Sequence, residues 1–401
     1  MVEGDGPGSG GDVDRSGLTM HTTGTGAERH DGIMTRSEAY DGSLTGWERA
    51  GLSRQLNLAD GHARYDFTPL QRDAISRSPE LLRCSARGEQ ELWEHRFVTE
   101  FFRLSGQSSH SAVDPSPLLN YSSSSAIDVT AKVLSARRIV RAALVEPTFD
   151  NIPALLRRSG IVPSPICLNR LATDDEYLAR VTSEFPVLFL VLPNNPTGDA
   201  LSFERFRDVV QACASTGCIL VLDLSFRFFS TLIHWDQYAV ISEYGTTALI
   251  LEDTGKTWPP ADLKIGLLSA TSSLRELAVE ATEELLLNVP PFTLQILCAF
   301  MEKEPGPSEG VAATGIARRN RDYLAASLAH SDGSLFLTDA NTSVAWLKTP
   351  TNWNSDNFVR YCLENGLSLL PGSQFYWANP ATAGHSSVLR SCAMRTSSLR
   401  G

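Results

Sequence analysis

Three short apolar runs, each leading into a residue that carries chemistry, constrain this chain more than any other feature. Val187–Gly198 reads V-L-F-L-V-L-P-N-N-P-T-G, a run of buried-strand type that enters a polar turn at Asn194 and Asn195. Ile219–Phe226 reads I-L-V-L-D-L-S-F and reaches Asp223, while Thr246–Leu251 precedes a loop that carries Lys256 and, eight residues further on, Lys264. Such runs, separated by helix-length segments, predict a mostly parallel sheet with its site at the carboxyl ends of the strands. Gly255 allows the sharp turn at Lys256. A lysine after a strand is most often a solvated surface residue; Asn195, Asp223, Lys256 and Lys264 in this order make a site instead.

With 401 residues, 42% of them hydrophobic and 20% charged, the chain can bury a large core, which points to two lobes. A net charge of -11 argues against a nucleic-acid groove and offers no basic patch to a membrane. Seven cysteines without a C-x-x-C pair suit reduced thiols in a cytoplasm. No apolar stretch approaches the roughly 18 residues of a membrane span, and no metal is expected. Residues 1–33 are rich in Gly, Ser, Thr and Asp and have little to bury, so they are expected to form a disordered arm. Asn120–Leu134 places a serine cluster before a helix-like pattern. Ser122, Ser123 and Ser124 therefore read either as an anion site at a helix start or as a plain serine N-cap.

Asparagine in N-N-P-T-G, aspartate three residues before an aromatic, and lysine eight before a cation are similar to the aminotransferase family of pyridoxal phosphate (PLP) enzymes, from about Thr45 to Arg395. The resemblance implies an α/β, fold-type-I transferase: a large domain with a mostly parallel central sheet, a smaller α/β domain, and a homodimer. It makes Lys256 the Schiff-base lysine, Asp223 the partner of the pyridine nitrogen, and Asn195 the contact to the ring oxygen. Ser122–Ser124 and Lys264 become phosphate contacts, Ser225 a further cofactor contact, Phe149 the ring-stacking aromatic, and Arg390 the substrate-carboxylate arginine. The chemistry asks for these types. A carbon acid beside an imine loses its proton only if electrons drain into a protonated ring, and a buried carboxylate keeps that ring protonated. A lysine can both carry the cofactor and move the proton. Two positions depart from the family: Lys264 stands where arginine is usual, and Phe226 where tyrosine is common.

A narrower resemblance rests on L-N-L-A-D-G-H-A-R (56–64), P-T-F-D-N-I (147–152), E-D-T-G-K-T-W-P (252–259) and D-L-K-I-G-L-L (262–268). These are similar to the PLP-dependent L-arginine oxidases of actinobacterial pathways to enduracididine and azomycin. That likeness implies O2 as co-substrate, L-arginine as substrate, and 4-hydroxy-2-oxoarginine with 2-oxoarginine as products, in antibiotic biosynthesis. It also implies an N-terminal lid over the site; residues 34–85 are read as this lid segment and part of the small lobe, 86–314 as the large domain, and 315–401, where the pattern changes at Gly315, as the small one. Thr45 and Glu48 become lid contacts and His62 the catalytic histidine. Read locally, Thr45 is an N-cap with Glu48 as its capping-box partner, and Asp60–His62 is only a turn. Asp253 stands where a serine often touches phosphate; a carboxylate there would be repelled, so it points away or serves a cation, and the resemblance assigns the substrate guanidinium. Glu252 reads as a second acidic contact or, preferably, as its solvated neighbour, and Asp150–Asn151 as a turn. An ordinary aminotransferase, a PLP cyclase acting on hydroxyarginine, and a non-catalytic PLP-binding regulator remain alternatives, the last without a recognition helix beside it.

Overall fold

The strand runs form where the apolar pattern places them, and each ends at or beside a site residue. The computed structural model describes residues 42–87, 90–260, 262–306, 310–329, 335–336, 342–350, 352–380 and the backbone of 386–390. All of these belong to one compact unit, Asp41–Gly401; the arm expected over residues 1–33 lies outside the described residues. In chain order the strands are β1 (Leu56–Asn57), β2 (Leu118–Asn120), β3 (Arg141–Val145), β4 (Val162–Ile166), β5 (Val187–Val191), β6 (Ile219–Asp223), β7 (Ala248–Asp253), β8 (Gly266–Ala270), β9 (Leu335–Phe336), β10 (Val344–Lys348), β11 (Leu367–Ser368), β12 (Leu370–Pro371) and β13 (Ser386–Arg390).

Seven of them make one sheet in the order β2-β8-β7-β6-β5-β3-β4. β4, β3, β5, β6 and β7 run parallel, and β8 is antiparallel to both of its neighbours. Every residue of β5, β6 and β7 is buried, as a sheet covered on both faces requires, which explains runs that are apolar throughout and do not alternate. In register, Val191 pairs with Asp223 and Asp223 with Leu251. The carboxyl ends of three strands thus bring Asn195, Asp223 and the lysine loop to one edge. A second sheet of order β12-β13-β10-β9 is antiparallel and accompanies the helices Ala312–Leu328 and Ser355–Glu364, close to where the sequence pattern changes.

The third apolar run extends past its expected end. β7 continues through Glu252 and Asp253, and both carboxylates are buried. Glu252 is therefore not a solvated neighbour. Its Oε2 and Oε1 accept from Arg227 Nε at 2.8 Å and Nη2 at 2.7 Å, and Arg227 Nη1 donates to Gln237 Oε1 at 2.9 Å. Burial raises the Glu252 pKa, and the Arg227 charge and hydrogen bonds oppose the rise. Removing either partner would leave a buried charge uncompensated, which costs about 3–5 kcal/mol. Three helices, Pro69–Ser76, Ser78–Ser85 and Gln90–Ser105, precede the large sheet, with Phe97, Phe101 and Phe102 in the core. Among the described residues no helix is long and apolar enough to cross a membrane.

Candidate active site

At the carboxyl edge of the large sheet lies a cavity of about 190 Å3. From the sheet side it is lined by Asn195, Asp223, Ser225, Asp253, Lys256 and Lys264. Ser122–Ser124 and Phe149 line another wall, and Thr45, Glu48 and His62 close it from the N-terminal segment. Thirteen positions proposed from the sequence therefore meet at one place. Arg390 ends β13, where its backbone pairs with Val344; its side chain lies outside the described residues.

The serine turn is both cap and wall. Ser122 is the N-cap of the helix Ser123–Ala136, in a reciprocal capping box with Ser125. Ser123 N–H, one of the free donors of that helix start, donates to Asp253 Oδ2 at 2.8 Å. Asp253 Oδ1 accepts Gly255 N–H at 2.5 Å. The carboxylate thus sits beside a positive helix end and organises the turn before Lys256. Gly266 allows β8 to pass this turn: a Cβ there would come within 2.4 Å of the Ser122 carbonyl carbon and oxygen.

Asp223 is buried, and its Oδ1 accepts both the Ser225 N–H at 2.9 Å and the Ser225 hydroxyl at 2.6 Å. Burial raises its pKa; the Ser225 hydrogen bonds and the Lys256 charge oppose the rise, and Asp253 adds to it. Lys256 Nζ lies 5.9 Å from the centre of the Phe226 ring. Phe149 meets Phe375 edge-on at 6.0 Å.

The lid is built differently from its local reading. The helix Leu44–Gly51 is capped by Ser43, whose side chain accepts from Gly46 N–H, so Thr45 is a first-turn wall residue and not the cap. Thr45 and Glu48, three residues apart, share the face that lines the cavity. The Asp60–His62 turn is more than a turn. His62 Nδ1 and Asp60 Oδ1 are 2.6 Å apart, and Lys264 Nζ lies 3.0 Å from His62 Nε2. Arg64 Nε donates to the other Asp60 oxygen at 2.7 Å. Burial and the charges of Lys256 and Lys264 lower the His62 pKa against the pull of Asp60. A neutral imidazole with Nδ1–H on Asp60 and Nε2 accepting from Lys264 satisfies all three groups. Burial alone would raise the Asp60 pKa, but His62 and Arg64 outweigh it and hold this carboxyl well below the usual range. Ala63 N–H donates to Gly255 O at 3.0 Å, and Tyr65 Oη to Thr257 O at 3.1 Å, fastening this segment to the Lys256 loop.

Sequence reasoning passed over Asp60, Asp150, Asn151 and Thr148. Asn151 Nδ2 donates to Ser124 Oγ at 3.0 Å, and Thr148 lines the cavity. A carboxylate two residues before a histidine was the one local signal for Asp60.

The aminotransferase class I and II family profile matches residues 54–400. The fold is similar to a solved structure of MppP soaked with the product 2-ketoarginine, at 32% identity and a TM-score of 0.77, covering 84% of this chain and 95% of that one. Escherichia coli YbdL, a methionine aminotransferase, superposes with a TM-score of 0.71 over 89% of this chain and 95% of its own, at 16% identity, a likeness of fold alone. Curated relatives include a histidinol-phosphate aminotransferase of Deinococcus radiodurans, 25% identical over 55% of this chain and 59% of that protein. An LL-diaminopimelate aminotransferase of Agathobacter rectalis is 23% identical over 50% of this chain and 52% of its own. This chain spans about half the length of the curated relatives it matches.

PLP is the cofactor expected for this family, and the cavity's donors fit it. Burial penalises the carboxylate charge of Asp223, and a protonated ring nitrogen against it would compensate that charge. Asn195 lines the cavity, and its side-chain NH2 is a donor suited to a ring oxygen. Ser122–Ser124 and Lys264 supply hydroxyls, a helix start and a cation for a phosphate. By the extent of the match, by fold and by donor set, the chain belongs to the aminotransferase class I and II family and is an enzyme of the PLP-dependent aminotransferase superfamily.

Proposed function

We propose that this enzyme is a PLP- and O2-dependent L-arginine oxidase, working as a cytoplasmic homodimer in the biosynthesis of a non-proteinogenic amino acid for an antibiotic. Its products would be 4-hydroxy-2-oxoarginine and 2-oxoarginine, with ammonia and reduced oxygen. The observation that carries this reading is the meeting of Thr45, Glu48 and His62 with Lys256, Asp223, Asn195 and Asp253 around one cavity. An ordinary aminotransferase needs no histidine lid. The likeness to MppP, whose product is 2-ketoarginine, supports a guanidino substrate.

Bound here, PLP supplies the electron sink that makes an amino acid's α-proton removable. Lys256 would hold the cofactor through its side-chain amine and would carry the α-proton of the substrate. Asp223 would keep the ring nitrogen protonated, Asn195 would hold the ring oxygen, and Phe149 would pack against the ring. Glu48 and Asp253 offer carboxylates to the guanidinium, with Thr45 beside them. Each Asp253 oxygen already accepts one N–H, and a carboxylate has acceptor capacity for about two per oxygen. Arg390 is assigned to the substrate carboxylate. His62, neutral and held by Asp60, takes and returns protons during oxidation of the side chain, while the lid excludes bulk water.

The curated relatives favour a second reading, transfer of the amine to a 2-oxo acid. Replacing His62 with alanine separates the two. The oxidase reading expects guanidino products, read by mass spectrometry, to shift from the hydroxylated to the unhydroxylated oxoacid. An unchanged ratio would remove His62 from the reaction.

A further inference from the structure

We infer that Asp150 is a positioning residue that latches the lid helix over the cavity and ties it to the loop carrying Phe149 and Asn151. This rests on the reading of the cavity as the active site. Leu44 N–H, the first donor of the helix Leu44–Gly51, reaches Asp150 Oδ2 at 2.8 Å across 106 positions of sequence. The helix cannot satisfy this donor itself, because its N-cap, Ser43, serves Gly46 N–H. Asp150 Oδ1 is buried and has no hydrogen-bond partner among the described residues, so the contact to Leu44 is what occupies the carboxylate.

The latch has a counterpart at the other end of the helix. Gly51 lies so close to the paired strands β1 and β11 that a Cβ there would meet Ser368 Oγ at 2.5 Å and Asn57 Oδ1 at 2.6 Å. Leu44, Trp47 and Gly51 form the buried stripe, and Thr45 and Glu48 form the stripe that faces the cavity. Eight residues are too few for a helix to persist alone in water. Its placement therefore depends on these contacts, and a turn of the helix about its axis would withdraw Thr45 and Glu48 together. Asp150 follows the ring-stacking position directly, and Asn151 grips Ser124. One short loop thus carries Phe149 and touches both the lid and the serine turn.

The test is amide hydrogen exchange by mass spectrometry on the cofactor-loaded protein with no amino acid added, so that a wrong assignment of the substrate leaves it readable. Wild type is compared with Asp150→Ala and Asp150→Asn, and cofactor absorption is recorded for each. The latch predicts exchange over residues 44–51 roughly tenfold faster in the alanine variant, since a hydrogen bond to a charged acceptor is lost. The helix Ser123–Ala136 and the absorption should be unchanged. Asparagine, which keeps an acceptor oxygen, should stay within about twofold of wild type. The inference is overturned if alanine leaves the lid's exchange unaltered, if asparagine opens it as much as alanine does, or if exchange rises equally throughout the chain.

Discussion

Asp253 and Glu252 are adjacent carboxylates with opposite fates, because successive side chains of a strand point to opposite faces. One face looks into the cavity; the other is closed by Arg227. That a carboxylate three residues before Lys256 cannot face a phosphate was legible from charge alone. Its actual partners, Ser123 N–H and Gly255 N–H, were not, since backbone donors carry no mark in a sequence. If Asp253 also holds the guanidinium, Asp253→Asn should weaken L-arginine by about tenfold or more, and norleucine, of similar length but uncharged, far less. Binding titrations with both amino acids decide this. Equal losses would leave Asp253 as an organiser of the loop only.

At the scale of elements, runs buried on both sides announced themselves as continuous apolar stretches, so β5, β6 and the start of β7 were readable. The lid helix was readable too, but its cap shifted by two residues, from Thr45 to Ser43; either residue type caps a helix, and only the packing of Leu44 and Trp47 chooses between them. The contact between β8 and the serine turn was hidden in a glycine. Gly266→Ala would drive a methyl group into the Ser122 backbone and displace the helix start proposed to hold the phosphate. A PLP titration should show affinity lower by about tenfold or more, given the strain of overpacking, with helix content by circular dichroism unchanged. Unaltered affinity would contradict a phosphate site at this turn.

Across the whole molecule, the contacts that turn a general aminotransferase pattern into this particular cavity are long-range. His62 and Lys264 stand 202 positions apart, Leu44 and Asp150 stand 106 apart, and β1 pairs with β11 across most of the chain. Periodicity and spacing report local structure and cannot reveal such pairs. The resemblance named the lid residues, and the fold brings them over Lys256.

Oxygen consumption by the purified, PLP-loaded protein with L-arginine and no 2-oxo acid tests the central claim most directly. The account predicts uptake, together with a guanidino oxoacid one oxygen heavier than 2-oxoarginine by mass spectrometry. No uptake, with amine transfer once a 2-oxo acid is added, would contradict it and make this enzyme an aminotransferase under an oxidase-like lid.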